Sequence, residues 1–581
     1  MAKYFDRRGK EDFYLPGEEI KIDKNAAFKK FSCEKDPLSM CKNRLMFAVI
    51  CFMAVYLVIA VRLFNVCILP NLHLRQDQVN ERTRLYAQNP IRRADILDRN
   101  GTIIATSLPT VNLYAIPKKI INAQSAAEQL VKTLPELNRN DVFKKLSGRG
   151  NFVYLKRNLT PAQQFNINAL GIPGLEFETV EKRVYPHKNL FAHIIGVTNI
   201  DNEGISGIEK ELNERLTQSD IPLTLSIDVG VQDTIREKLL AAIDKFQANG
   251  GTAVLMDINT SEVIAMVSLP DFDPNINKVK NEQALFNMAT KGVYEPGSVL
   301  KIFNTAMSLE SGKVKVSDQF DATQPLKLKY NTIKDYRGEN RWLSVPEILV
   351  YSSNIGSARM ALKVGGSEQR HFLEKIGFFE ELPIEVAERG KPLAPKKWGE
   401  GTIATVAYGY GMAVSPLHVI TAYASVINGG IYHNPTLVKK NNKNNDGHRV
   451  ISFNTSKAMR KLMRLVVTDG SGKRANIPGY EVAGKTGTAN KLSAQGKYVD
   501  KKVRTTFVSA FPISNPKYSL LVMLDEPKPI KETWGFVTSG WNTVPTAAKI
   551  IEAIAPQLNI KANYDIDELR RNRIIEAAYT K

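Results

Sequence analysis

The sequence predicts an α+β body built on an antiparallel sheet, set behind one membrane-spanning helix and an extended, mainly β pedestal. Three observations lead there. One long uncharged apolar run lies near the N-terminus. From Leu223 to Pro556, β-rich runs pair as hairpins at both ends while the residues between them read as helical. The chain has 581 residues, too many for one core at roughly 100 to 200 residues per domain, so two or three units are expected. With 43% hydrophobic and 24% charged residues, 37 Gly and 28 Pro, it cannot be collagen-like, coiled-coil or wholly disordered.

The apolar run is Leu45 to Val61, LMFAVICFMAVYLVIAV, 17 residues without a charge. Arg62 interrupts it and apolar character returns at Leu63, Phe64, Val66, Ile68 and Leu69. If Arg62 snorkels to the headgroups, the segment approaches the ~20 residues that cross a bilayer. The alternative is a buried core helix. Five basic residues precede it over 25–44 (Lys29, Lys30, Lys35, Lys42, Arg44) and two follow over 63–82 (Arg75, Arg82). That asymmetry sets the N-terminus in the cytoplasm and the body outside. No small-x-small cleavage site follows the run, and Val66 before Cys67 does not fit a lipoprotein site. The expected order is a cytoplasmic tail (1–44), an anchor (45–66), a first folded module (67–222), a second (223–556) and a charged tail (557–581).

The net charge of +20 calls for an anionic neighbour. Export makes that neighbour lipid or an acidic polymer, and excludes nucleic acid. All four cysteines (Cys33, Cys41, Cys51, Cys67) precede the body, and the seven His show no metal-ligand spacing, so neither a metal nor another cofactor is expected.

In the first module, residues 72–98 read as an Arg-rich stalk. Asn100-Gly101, between Ile96-Leu97 and Ile103-Ile104, reads as a hairpin turn. Short helical patterns alternate with charged connections over 118–180, and an extended part runs from Arg183 to Glu209. In the second module, 252–258 and 262–267 form one hairpin around Asn259-Thr260-Ser261; 505–511 and 518–524 form another around 514–517. Residues 565–578 have a charged helical pattern.

Three motifs lie in the second module. In Ser298-Val299-Leu300-Lys301, Pro296-Gly297 breaks the chain and Leu300, Phe303 and Met307 recur at helical spacing up to Gly312. Three residues is almost one turn, so the Lys301 amine lies beside the Ser298 hydroxyl. A serine is a poor nucleophile without an adjacent base, and a lysine is a base only where its pKa is lowered. Ser352-Ser353-Asn354 offers a hydroxyl to relay a proton and an amide to hold a peptide; alone it reads as a polar turn or cap. In Lys485-Thr486-Gly487-Thr488, Gly487 is expected to let a substrate backbone approach an edge strand, Lys485 to supply a fixed cation, and the threonine hydroxyls to bind a carboxylate. Singly these motifs are weak. Together, in this order and context, they are specific.

On these motifs the chain resembles the penicillin-recognising serine acyltransferases, and among them the class B penicillin-binding proteins, with S-S-N in place of S-D-N. Further family-like segments are Arg93 to Gly101, Arg183 to Pro186, Gly204 to Glu209, Gly409 to Leu417 and Thr538 to Asn542, so the likeness spans about 45–555. The RADILDRNG form and the LDEPKP to SGWN tail are most similar to the division-specific FtsI type; the elongation-type paralogue is the alternative.

The resemblance implies a β-lactamase-like transpeptidase domain over 223–556, a pedestal of dimerisation type over 67–222, and an enzyme that cross-links peptidoglycan through an acyl-enzyme. It implies Ser298 as nucleophile, and Lys301 or another group as first base. Ser352 would be the proton relay, Lys485 the electrostatic anchor, and Asn354 and Thr486 the substrate clamps. The N–H groups of Ser298 and Thr488, with Gly487 between the threonines, would form the oxyanion region. Implied partners are D-Ala-D-Ala donor and amine acceptor stem peptides, β-lactams, an FtsW-type glycosyltransferase and other division proteins, at the inner membrane of the septum. A β-lactamase, a D,D-carboxypeptidase or a division scaffold with a degenerate domain are the competing readings.

Overall fold

The computed structural model describes residues 46–60, 93–276, 281–329, 331–440, 447–492 and 498–564, and divides into two units, 1–89 and 90–581. In the first, residues 46–60 are helical with exposed apolar side chains. No described helix is long and apolar enough to cross a membrane. Residues 1–45 and 61–66, and the expected C-terminal helix over 565–578, lie outside the described residues.

The second unit is organised by a five-stranded antiparallel sheet. Its order is Ala483–Leu492, Tyr498–Phe511, Tyr518–Asp525, Gly250–Asp257, Val263–Leu269. Both expected hairpins are present, and they join where Leu521 pairs with Val254. Tyr518–Asp525 is central and covered on both faces, which explains its unbroken apolar run. Leu520, Val522 and Leu524 face Val231, Ile235 and Leu239 of the helix Val229–Phe246 and Ile550 and Ile551 of the helix Thr543–Ile554. Leu521 and Met523 face the insert, whose helix Pro416–Ile427 is buried along its whole length. The period of 2 thus divides one strand between two cores.

The pedestal is α+β, which corrects the mainly β expectation. Ile103–Ala115 pairs with Ile96–Leu97, Val153–Leu159 and Leu175–Val184. Its apolar face must be covered. The helices Ala123–Thr133, Arg139–Leu146 and Pro161–Asn168 cover it, burying Ala127, Leu130, Val142, Leu146 and Ile167 against Leu113 and Leu159. Each helix opens on a side-chain cap, from Asn122, Asn138 and Thr160 respectively.

Three segments far apart in sequence meet at a buried ion cluster. Arg93 Nε lies 2.6 Å from Glu209 Oε2, and Arg183 Nε lies 2.7 Å from Glu209 Oε1. Nearby, a Cβ on Gly204 would meet the Glu209 carbonyl at 1.8 Å, so only glycine fits there. The pedestal is tied to the second module by Leu223–Thr224, parallel to Ile96–Leu97, and by Arg389, 2.8 Å from Glu211.

Candidate active site

Ser298 lies in the 3-10 turn Gly297–Val299, which runs directly into the helix Leu300–Glu310. Lys301 follows on the first helical turn, its side chain fully buried (0% exposed), with Nζ 3.1 Å from Ser298 Oγ. The i,i+3 spacing brings the two together as the sequence implied.

The middle motif completes the environment of that amine. Ser352 has a φ of 58°, a left-handed conformation that costs a non-glycine residue roughly 1–3 kcal/mol. It turns the Ser352 carbonyl toward Lys301, which donates to it. Lys301 also lies 2.7 Å from Asn354 Oδ1, an orientation set by the Asn354 Nδ2 bond of 2.9 Å to the Lys334 carbonyl. Two acceptor-only groups therefore occupy two N–H bonds of the amine. In the neutral amine the lone pair remains for the hydroxyls of Ser298 and Ser352, each 3.1 Å away.

Lys485 comes from the edge strand Ala483–Leu492, is equally buried, and donates to Ser352 Oγ at 3.0 Å. Among the described residues, neither lysine has a carboxylate within ion-pair distance. Burial, reinforced by the charge of Lys485 and opposed by Asp335, holds Lys301 well below the usual lysine range. Burial alone lowers Lys485 to about 7.

The KTGT strand lies against the serine turn. A Cβ on Gly487 would meet the Pro296 carbonyl at 2.7 Å and Val299 Cγ2 at 2.8 Å. Gly487 thus admits the close approach of the protein's own Pro296-Gly297 turn. Gly297 (φ 56°) faces the Thr488 backbone in turn, and Gly409 (φ 105°) could not carry a Cβ, which would fall 1.8 Å from the Gly297 carbonyl. The Gly409 to Leu417 segment is therefore the floor of the turn. The threonine hydroxyls are both engaged: Thr486 Oγ1 lies 2.6 Å from Ser471 Oγ, and Thr488 Oγ1 accepts from Ser539 N at 3.2 Å.

Sequence reasoning missed Asp335. Its carboxylate accepts from Ser353 Oγ at 2.7 Å, from Asn354 N and from Ile355 N at 3.0 Å, so it sits at the N-terminus of the helix Asn354–Val364, where a negative charge is favoured. It holds the middle motif in place from a separate loop. Ser471, the partner of Thr486, was missed too. Nothing local in either stretch marks these residues.

The transpeptidase domain of penicillin binding proteins matches residues 251–551, and the penicillin-binding protein dimerisation domain matches 88–220. The chain is 34% identical over 488 residues to a "Probable peptidoglycan D,D-transpeptidase FtsI" of Caulobacter vibrioides, covering 82% of each chain. It is 29% identical over 506 residues to the "Peptidoglycan D,D-transpeptidase FtsI" of Escherichia coli, covering 81% of this chain and 84% of that one. Among solved structures, penicillin binding protein 3 of Mycobacterium tuberculosis, in complex with aztreonam, superimposes with a TM-score of 0.65 at 22% identity, covering 82% of this chain and 98% of the other.

Proposed function

This chain belongs to the class B penicillin-binding proteins of FtsI type, and from that premise we propose how its residues perform the transfer. It is a peptidoglycan D,D-transpeptidase, and the division role fits the FtsI name of its relatives. The observation that carries the mechanism is the buried Lys301 amine, 3.1 Å from Ser298 Oγ with two of its N–H bonds already taken.

Ser298 Oγ attacks the carbonyl carbon of the penultimate D-alanine while its proton passes to the lone pair of neutral Lys301. The oxyanion that forms is received by the backbone N–H groups of Ser298 and Thr488, each worth about 3–4 kcal/mol in such sites. Ser352 Oγ, between the two lysines, carries the proton to the leaving nitrogen; the C–N bond breaks and terminal D-alanine departs. Charged Lys485 keeps Ser352 in donor orientation and, with Thr486, attracts the substrate's terminal carboxylate. Asn354 clamps the donor backbone. An acceptor amine then attacks the ester, returns a proton through the same groups and frees Ser298.

The inner membrane, with residues 45–66 as the anchor and the N-terminus in the cytoplasm, is the location this reading requires. An FtsW-type glycosyltransferase is the partner that would supply strands. The test is product analysis: full-length protein given stem-peptide donor and amine acceptor should release cross-linked dimer. Free shortened peptide alone would favour the carboxypeptidase reading.

A further inference from the structure

Three residues before the nucleophile lies a carboxylate that the mechanism does not use. Glu295 is half-buried, accepts from Gly411 N at 2.7 Å, and receives the Tyr498 hydroxyl at 3.1 Å from both oxygens. Among the described residues no Lys or Arg makes an ion pair with it, whereas Asp525 and Glu526 nearby are paired with Lys491, and Asp525 also with Arg504. Arg504 is otherwise occupied, stacked 4.3 Å over the Tyr294 ring. Beside Glu295 the rings of Tyr410 and Tyr498 meet edge to face at 5.3 Å, with Tyr408 5.8 Å beyond Tyr410. A carboxylate with no direct ion pair among the described residues, walled by aromatic faces, is a site for an ammonium group.

Its position says which ammonium. Tyr410 Oη accepts from Asn490 N at 3.4 Å, and Glu295 is joined to Tyr498, so the cluster stands at the Asn490 end of the edge strand. Thr486, Thr488 and Asn490 lie on one face of that strand at intervals of about 6.7 Å. An extended peptide laid along such an edge runs with the strand. With the terminal carboxylate toward Thr486 and the scissile carbonyl at Thr488, the donor backbone continues toward Asn490, and the first long side chain on it belongs to the residue that precedes D-Ala-D-Ala.

We propose that Glu295, Tyr410 and Tyr498 form a cation subsite that takes the side-chain ammonium of the donor residue immediately before D-Ala-D-Ala. The proposal rests on the transpeptidase reading and adds to it a specificity-determining site. Burial pushes the Glu295 carboxyl up, against the pull of Gly411 N–H, the Tyr498 hydroxyl and the charge of Arg504; a bound ammonium supplies a direct partner.

Full-length protein in detergent is given two depsipeptide donors, Nα-acetyl-Lys-D-Ala-D-lactate and its Nε-acetylated form, which lacks the charge. Penicillin stoichiometry counts folded sites. The wild type is expected to turn over the free-amine donor about tenfold better in kcat/KM, with the preference shrinking as salt is added. Glu295→Gln should bring the ratio to about one, and Tyr498→Phe should fall between. Equal turnover of both donors by the wild type overturns the proposal, as does an unchanged ratio in both variants. If Glu295→Gln does not fold, the wild-type ratio and Tyr498→Phe still decide. If neither donor nor penicillin acylates the wild type, the transpeptidase mechanism itself fails, a separate outcome.

Discussion

Lys301 and Lys485 converge on one oxygen: Ser352 Oγ lies 3.1 Å from the first amine and 3.0 Å from the second. Two cations that close and that buried cannot both be comfortable, so one yields its proton. Lys301, lowered by burial and further by the charge of Lys485, is the one that does.

The pH profile of penicillin acylation should therefore be bell-shaped. Lys301 works neutral, so kcat/KM rises with pH as it loses its proton; Lys485 works charged, so the rate falls as pH passes about 7. The two limbs belong to the coupled pair. Stopped-flow acylation across pH checks this, and a monotonic rise into the alkaline range would contradict it.

Asp335→Asn removes a charge that raises the Lys301 pKa. The acidic limb should consequently move to lower pH. Loss of the cap at Ser353 and Asn354 should also lower stability by about 0.5–2 kcal/mol. Acylation profiles and thermal melts of the same preparation separate the two effects; an unmoved limb would show that Asp335 acts only as a cap.

Glycine replacements should divide by what a Cβ meets. Gly409→Ala strikes the Gly297 carbonyl from a positive φ and is expected to abolish soluble folded protein or acylation. Gly487→Ala pushes on the serine turn and should slow acylation by about a hundredfold, since a shift near 1 Å costs that much. Gly401→Ala, in the helix Glu400–Val406 with nothing within 4 Å, should stabilise by about 0.5–1 kcal/mol.

In the pedestal, Glu209→Gln leaves the buried guanidinium groups of Arg93 and Arg183 without their shared carboxylate. It should cost about 3–5 kcal/mol, read as a fall in denaturation midpoint. A midpoint unchanged from the parent would mean that the cluster relaxes to solvent.

Local chemistry made part of this legible in sequence. Ser298 and Lys301 are one helical turn apart, and the paired β-rich runs announce the sheet. What sequence spacing does not reveal is contact between distant segments. Asp335 reaches Ser353 from 18 residues away, and Arg93 reaches Glu209 across 116. The crowding of Gly487 is hidden for the same reason, because the backbone it meets is Pro296, on another element. The pedestal helices run to only 8–11 residues, and their helical character depends on the sheet they cover.

Peptide-mapping mass spectrometry after benzylpenicillin decides whether Ser298 is the nucleophile and neutral Lys301 its base. The penicilloyl group is expected on Ser298 in the wild type and, because arginine is not deprotonated, almost none in Lys301→Arg at short times. An adduct on Ser352 or Ser353, or normal labelling of Lys301→Arg, would contradict it.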